Sequence, residues 1–214
     1  MDKIQNKFET EFISLISTSF KFGLSKQISM LIINFDPFPI LETSRLIFRQ
    51  INKDDANEIF ILRSDTKVME YIHRPLAKTL DDALQLIQII IDAEINNNGI
   101  TWAIILKENV QLIGTIGYWQ IKKEHYRAEI GYLLSPDFQR KGMMQEALTT
   151  VIHYGFAEMK LHTIEADVDP KNTPSISLLE RNKFVKEGYF KENYFFDGKF
   201  SDTVVYSLLT SIDY

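Results

Sequence analysis

The sequence predicts an α/β domain whose extended and helical segments follow one another in the order β α α β β β α β α β β. Three observations carry this reading. Several short stretches alternate apolar and polar residues at a period of two, as half-buried strands do, and others repeat their apolar residues at the helical spacing of three and four. Gly, Pro, Asn and Asp mark the boundaries between them. With 214 residues, 45% of them hydrophobic, the chain can bury a sizeable core and falls outside the disordered class.

Residues 1–39 read as an N-terminal extension and residues 40–214 as the domain. Phe8, Phe12, Leu15, Ile16 and Phe20 fall near the helical period, residues 22–35 are apolar without clear period, and Pro37 and Pro39 then punctuate the chain. The bland reading is a helical appendage packed on the domain; a partner-binding or membrane-surface helix and a true start at Met30 stay open. Within the domain, residues 45–50 (RLIFRQ) alternate like a strand, and Asn52 precedes a helix with Ala56, Ile59 and Phe60 on its apolar face. Thr79 and Asp82 form a capping-box pattern before a long helix whose apolar side is Ala83, Leu84, Ile87, Ile90, Ile91 and Ile95. Asn96, Asn97, Asn98 and Gly99 end it.

Residues 101–106, 111–120 and 127–134 read as three antiparallel strands joined by short polar turns. A helix over residues 142–159 follows, with Ala147, Leu148, Val151, Ile152, Phe156 and Met159 as its buried stripe. Residues 163–168 make the next strand. Thr173 is expected to cap a short helix with Pro174 at its first position, where the missing N–H costs nothing. Residues 184–193 and 199–209 finish as a hairpin around Asp197-Gly198.

Composition excludes several kinds of chemistry. There is no cysteine, so disulfides, thiolate zinc sites, iron–sulfur clusters and a cysteine nucleophile are all ruled out. The 24 Lys and Arg against 29 Asp and Glu give a net charge of −5, which argues against direct nucleic-acid binding. The uncharged runs near the N-terminus are too short to span a bilayer, and no secretory pattern precedes them. A cytoplasmic protein with no membrane contact is the expectation. His73, His125, His153 and His162 show no metal-ligand spacing, so no metal is expected. Gly114 and Gly117 lack the following helix of a dinucleotide fold. Trp102, Tyr118, Trp119 and Tyr132 read as core or cleft wall, and His125 as an assistant to proton traffic.

The most informative stretch is Phe138-Gln139-Arg140-Lys141-Gly142-Met143-Met144, which sets two cations and a glycine at a helix entrance. Cations are the wrong sign for the positive end of a helix dipole, costing a few tenths up to about 1 kcal/mol unless an anion lies between them and the free N–H groups. A bound phosphate turns that penalty into a site. The bare spacing is not specific, since Gln111 to Gly114 repeats it inside a strand.

Context adds specificity. The strand RAEIGYLL at residues 127–134, Ser135-Pro136, the QRKGMM loop with its helix, Asn172-Thr173-Pro174-Ser175 and Leu179-Glu180-Arg181-Asn182-Lys183-Phe184 together resemble the GCN5-related N-acetyltransferases (GNAT). Leu41-Glu42-Thr43-Ser44-Arg45-Leu46 is similar to the opening of the ribosomal-protein alanine N-acetyltransferase (RimJ/RimL-like) group. The resemblance covers roughly residues 40 to 210 and implies the acyl-CoA N-acyltransferase fold, a mixed, mostly antiparallel twisted sheet flanked by helices. It implies acetyl-CoA as cosubstrate, no metal, and direct acetyl transfer to a primary amine.

By this resemblance the diphosphate loop falls on Gln139, Arg140, Lys141, Gly142, Met143 and Met144, where Met144 replaces a usual small residue. Leu133 and Leu134 would offer main-chain groups from a bulged strand to pantetheine and the thioester. Asn172 would contact the pantetheine arm or the substrate backbone, Ser175 would lie near the sulfur, and Glu129 would serve as base, although pairing with Arg127 or a neighbouring Lys is an equal structural reading. A protein or peptide N-terminus is the favoured acceptor. A small-molecule amine such as a polyamine, aminoglycoside or amino-acid derivative is the alternative, and a non-catalytic acyl-CoA-binding module a third reading. A homodimer is compatible with all of these.

Overall fold

The computed structural model describes residues 30–211, so the helix expected around Phe8 to Phe20 lies outside the described residues. Among them, eight strands form one sheet: β1 (Leu41–Glu42), β2 (Leu46–Gln50), β3 (Ile100–Leu106), β4 (Gln111–Lys122), β5 (Arg127–Leu134), β6 (Thr163–Val168), β7 (Val185–Phe196) and β8 (Lys199–Leu209). Four helices flank it: α1 (Ala56–Ser64), α2 (Leu80–Ile95), α3 (Met143–Ala157) and α4 (Thr173–Arg181). The spatial order is β1-β2-β3-β4-β5-β6-β8-β7, and every neighbouring pair is antiparallel except β5 and β6. That parallel pair is joined through α3, since parallel strands need a crossover.

Strand alternation divides the core between the two faces. In β3, Ile100, Trp102, Ile104 and Leu106 pack with α3 and α4, while Ala103 and Ile105 pack with α1 and α2. Helices on both faces explain why β3 reads as a continuous apolar run. The first face also takes in Leu31 and Phe35, 4% and 3% exposed, and Trp102 Nε1 donates to the Pro39 carbonyl at 2.7 Å. Residues 31–39, expected as part of the extension, therefore contribute to the domain's core.

Local chemistry starts each helix. Asn52 and Asp55 form a capping box, and Arg49 grips the Asp55 carboxylate at 2.6 and 2.8 Å, tying the end of β2 to the entry of α1. Leu62 rather than Phe60 completes the fully buried face of α1. Thr79 and Asp82 cap α2 as expected. Its buried face runs Ala83, Ile87, Ile90 and Glu94, while Ile95 is 70% exposed; four residues beyond Ile90 the helix has turned past the position that Ile95 takes. Glu94 accepts from Gln50 Nε2 at 2.5 Å, and burial pushes its carboxyl above the usual range.

Candidate active site

The sheet opens where β5 and β6 part. β5 stays in register with β4 from Trp119↔Glu129 to Gly114↔Leu134, but it pairs with β6 only from Arg127↔Thr163 to Glu129↔Glu165. The Ser135 N–H donates to the Ile113 carbonyl at 2.8 Å, which fixes the parity of the β4–β5 ladder. Tyr132 and Leu134, beyond the last β6 pairing, consequently turn their main-chain groups away from β4 and into the gap. The expectation for Leu133 and Leu134 divides here: Leu134 faces the opening, with its carbonyl accepting from Gln139 Nε2 at 3.1 Å, whereas the register turns the main chain of Leu133 toward Thr115. The register shift also lies elsewhere than expected, between Trp119 and Lys122 of β4, with Gln120 at φ 44°. It is the loss of a β6 partner that exposes the strand.

The loop into α3 lies beside this opening. Arg140 has φ 59° and Gly142 φ 78°, so the chain turns twice through the left-handed region before the helix begins, and Gly142 does so without strain. No side chain caps α3. The Glu146 N–H donates to the Gly142 carbonyl at 3.1 Å, leaving the N–H groups of Met143, Met144 and Gln145 as the unpaired first turn. Met143 is buried and Met144 packs against the core, so the larger residue at 144 places its side chain on the apolar side. Lys141 Nζ sits 5.6 Å above the Phe138 ring. Free amides, two cations and a glycine in a left-handed turn suit a diphosphate.

Glu129 and Ser175 reach the opening from opposite faces. Period-two alternation puts Glu129 on the α1–α2 side, along with Trp119 across the ladder and Glu165 and Asp167 of β6. Burial first, then the Asp167 charge, pushes the Glu129 carboxyl up to about 7, against a smaller pull from Arg74. Gln120 Nε2 donates to it at 2.9 Å. Arg127 instead pairs with Glu165 at 2.9 Å, and of the neighbouring lysines Lys122 exerts a weak electrostatic pull on Glu129. On the other face Tyr132, half-buried and pushed up to about 12 chiefly by desolvation, lies 2.8 Å from Ser175 Oγ.

Asn172, not Thr173, is the N-cap of α4: its Oδ1 accepts from the Ser175 N–H at 3.1 Å. Thr173 and Pro174 are the first two helical residues, because an Asn cap satisfies a free N–H as well as Thr would. The side-chain oxygen of Asn172 is thus engaged in holding Ser175 in place.

All the expected site residues except Lys141 line a single cleft of about 1690 Å³, more than the roughly 300–1,000 Å³ of a pocket for one drug-sized ligand. Lys141 stands at its rim beside Gly142. Sequence reasoning passed over several other members: Tyr132 was read only as wall, and Gln120, Arg74 and Asp167 were not singled out. Their distances along the chain conceal a neighbourhood that only the sheet creates. On the rim, His73 Nε2 lies 3.3 Å from Asp169 Oδ2, and its ring stacks on Tyr194 at 5.4 Å. His125 is exposed on a short turn and does not line the cleft. Among the described residues no group of His, Cys, Asp and Glu is placed to hold a metal, and no helix is long and apolar enough to cross a membrane.

Residues 45–185 match the family model described as "Acetyltransferase (GNAT) domain". The chain is 38% identical over 172 residues to the uncharacterized N-acetyltransferase YoaA of Bacillus subtilis, covering 80% of this chain and 97% of that one. The chain belongs to the GNAT acetyltransferase family. A shorter stretch of this acetyltransferase, 101 residues, is 36% identical to the [ribosomal protein uS5]-alanine N-acetyltransferase of Escherichia coli, covering 47% of this chain and 52% of the relative. The structure of the Vibrio cholerae spermidine N-acetyltransferase in complex with CoA and spermine shares the fold, with a TM-score of 0.71 at 24% identity, covering 79% of this chain and 98% of that one. The expected fold is thereby shown, as are N-acetyltransferase activity and acetyl-CoA as the cosubstrate. The loop of this GNAT enzyme fits that cosubstrate, with amides, cations and an open strand edge on one side of the sheet.

Proposed function

We propose that this acetyltransferase modifies the α-amino group of a protein or peptide N-terminus, with Glu129 as base and Ser175 as proton donor. The observation that carries the reading is a carboxyl group held near 7 at the opening between β5 and β6. An α-amine of pKa about 7.7–8.0 needs only modest help at neutral pH, whereas a lysine near 10.4 costs about 3.4 kcal/mol more to deprotonate. Glu129 is tuned for the easier task.

Bound acetyl-CoA supplies the activated acetyl group as a thioester. Gly142, Met143, Met144 and Gln145 hold the diphosphate through their N–H groups, with Gln139, Arg140 and Lys141 beside them. Leu134 and Tyr132 offer main-chain groups to the pantetheine arm, and Asn172 keeps Ser175 in place. Glu129 takes the ammonium proton, directly or through water, so that the amine nitrogen can bond to the acetyl carbon. The Ser175 hydroxyl delivers a proton to the departing sulfur as the carbon–sulfur bond breaks, the Tyr132 hydroxyl 2.8 Å away resupplies it, and the second proton shed by the nitrogen passes to solvent, from which Tyr132 is reprotonated. The lack of any cysteine supports transfer without a protein thioester.

A polyamine acceptor is the second reading, favoured by Asp167, Asp169 and Asp202, which line the same cleft and suit a second cationic centre. The deciding experiment is a CoA-thiol release screen of N-terminal peptides, polyamines and aminoglycosides, with mass spectrometry locating the acetyl group. Turnover of peptides at the α-amine supports the first reading. Turnover confined to polyamines replaces it with the second, and CoA binding without turnover of any amine points to a binding module.

A further inference from the structure

The loop that begins α3 has a conformational ambiguity of its own. The peptide between Lys141 and Gly142 can turn either way, because glycine accepts positive and negative φ alike. Carbonyl and N–H of one planar trans peptide point in opposite directions. One orientation aims the Gly142 N–H at an incoming anion; the other aims the Lys141 carbonyl at it. Nothing within the loop's sequence chooses between them.

Arg45, between β1 and β2 and 96 positions away in sequence, makes that choice. Its Nη1 donates to the Lys141 carbonyl at 3.1 Å, holding the carbonyl on the Arg45 side and the Gly142 N–H on the opposite one. The same guanidinium grips Glu146 in the first turn of α3, with Nε at 2.8 Å and Nη2 at 2.6 Å from Oε2. The Arg45 N–H and the Ser44 hydroxyl complete the clasp on Oε1 at 3.2 and 3.4 Å. Glu146 is only 18% exposed and would otherwise set a negative charge beside the helix end. A planar fork can hold carboxylate and carbonyl together; an ammonium is a single point.

We propose that Arg45 is a positioning residue for the cosubstrate: it locks the Lys141–Gly142 peptide with its N–H outward and neutralises Glu146, so that the α3 entrance accepts a diphosphate. This rests on the assignment of that loop to the diphosphate of CoA. The test is calorimetric titration with CoA of the wild-type chain, Arg45→Ala, Arg45→Lys and Glu146→Gln, combined with steady-state kinetics on an acceptor from the amine screen. Arg45→Ala should bind CoA about 10- to 100-fold more weakly, the loss expected of one charge-assisted hydrogen bond. The KM for acetyl-CoA should rise in proportion while kcat stays within twofold. Arg45→Lys should recover less than half of the loss on a logarithmic scale, and Glu146→Gln, which leaves no charge to neutralise, should lose less than Arg45→Ala. CoA affinity within twofold of wild type in both Arg45 variants overturns the inference, as does a loss that falls equally on kcat. Should Arg45→Ala fail to fold, Arg45→Lys carries the same outcomes. A wild-type chain that does not bind CoA overturns the loop assignment itself.

Discussion

Glu129 shows how one carboxyl is moved into the working range of an enzyme. Its carboxylate is penalised by burial and by the neighbouring Asp167 charge, and Arg74 offsets only part of this. Glu129 is ionised above about pH 7, so kcat/KM should climb as pH rises through that value. Glu129→Gln should abolish this acid limb and lower the rate by about 10²- to 10⁴-fold; a pH–rate profile checks both. Stability should move the other way. A raised native pKa favours the protonated folded state, and that contribution is present below the unfolded value near 4.5 and lost as pH rises through about 7. Glu129→Gln should therefore be more stable than wild type by about 1–3 kcal/mol at pH 8, with the difference vanishing near pH 4. Urea titrations at the two pH values measure it. The type and strand position of Glu129 were legible in the chain. Its tuning was not, since Asp167, Arg74 and Gln120 join it only through the sheet and the loop after α1.

At the scale of elements, punctuation and period placed most boundaries. β5 and β6 match the sequence reading at both ends, because short alternating runs bounded by polar turns have one sensible register. The differences are equally instructive. Asn172 displaced Thr173 as the cap of α4, a competition between two good capping residues that sequence cannot judge. Ile95 gave way to Glu94 on α2, where packing against the sheet buried a polar residue whose Oε1 accepts from Gln50 while Oε2 has no hydrogen-bond partner. The entrance of α3 depends most on one residue. Gly142→Ala would force a side chain into φ 78° at a cost of roughly 1–2 kcal/mol, and the added Cβ would meet Arg45 Nη2 at 3.5 Å. A lower melting temperature and a KM for acetyl-CoA raised about tenfold are expected, with kcat changed far less. Thermal denaturation and initial-rate kinetics would show whether the turn serves cosubstrate binding.

The whole domain is organised by a sheet covered on both faces and opened at one seam. Phe35 belongs to that organisation despite preceding the first strand, because it is buried with Trp102 and its neighbours on the α3–α4 face. Phe35→Ala should cost about 3–5 kcal/mol of unfolding free energy in urea, whereas a residue of a merely attached segment would cost little. Taken alone, the sequence determined the order of elements from β2 onward, though not the short β1 that precedes it, the loop chemistry at residues 139–144, the family likeness and the exclusion of thiol chemistry. Those are properties of residue type and short spacing. The tertiary structure alone decided that Leu134 and not Leu133 turns its main chain to the gap, that Tyr132 backs Ser175, that Arg45 clasps the α3 entrance and that Leu31 and Phe35 belong to the core. Each depends on which strands pair and where β5 parts from β6, and such long-range register is a property of the packed sheet that no local pattern encodes.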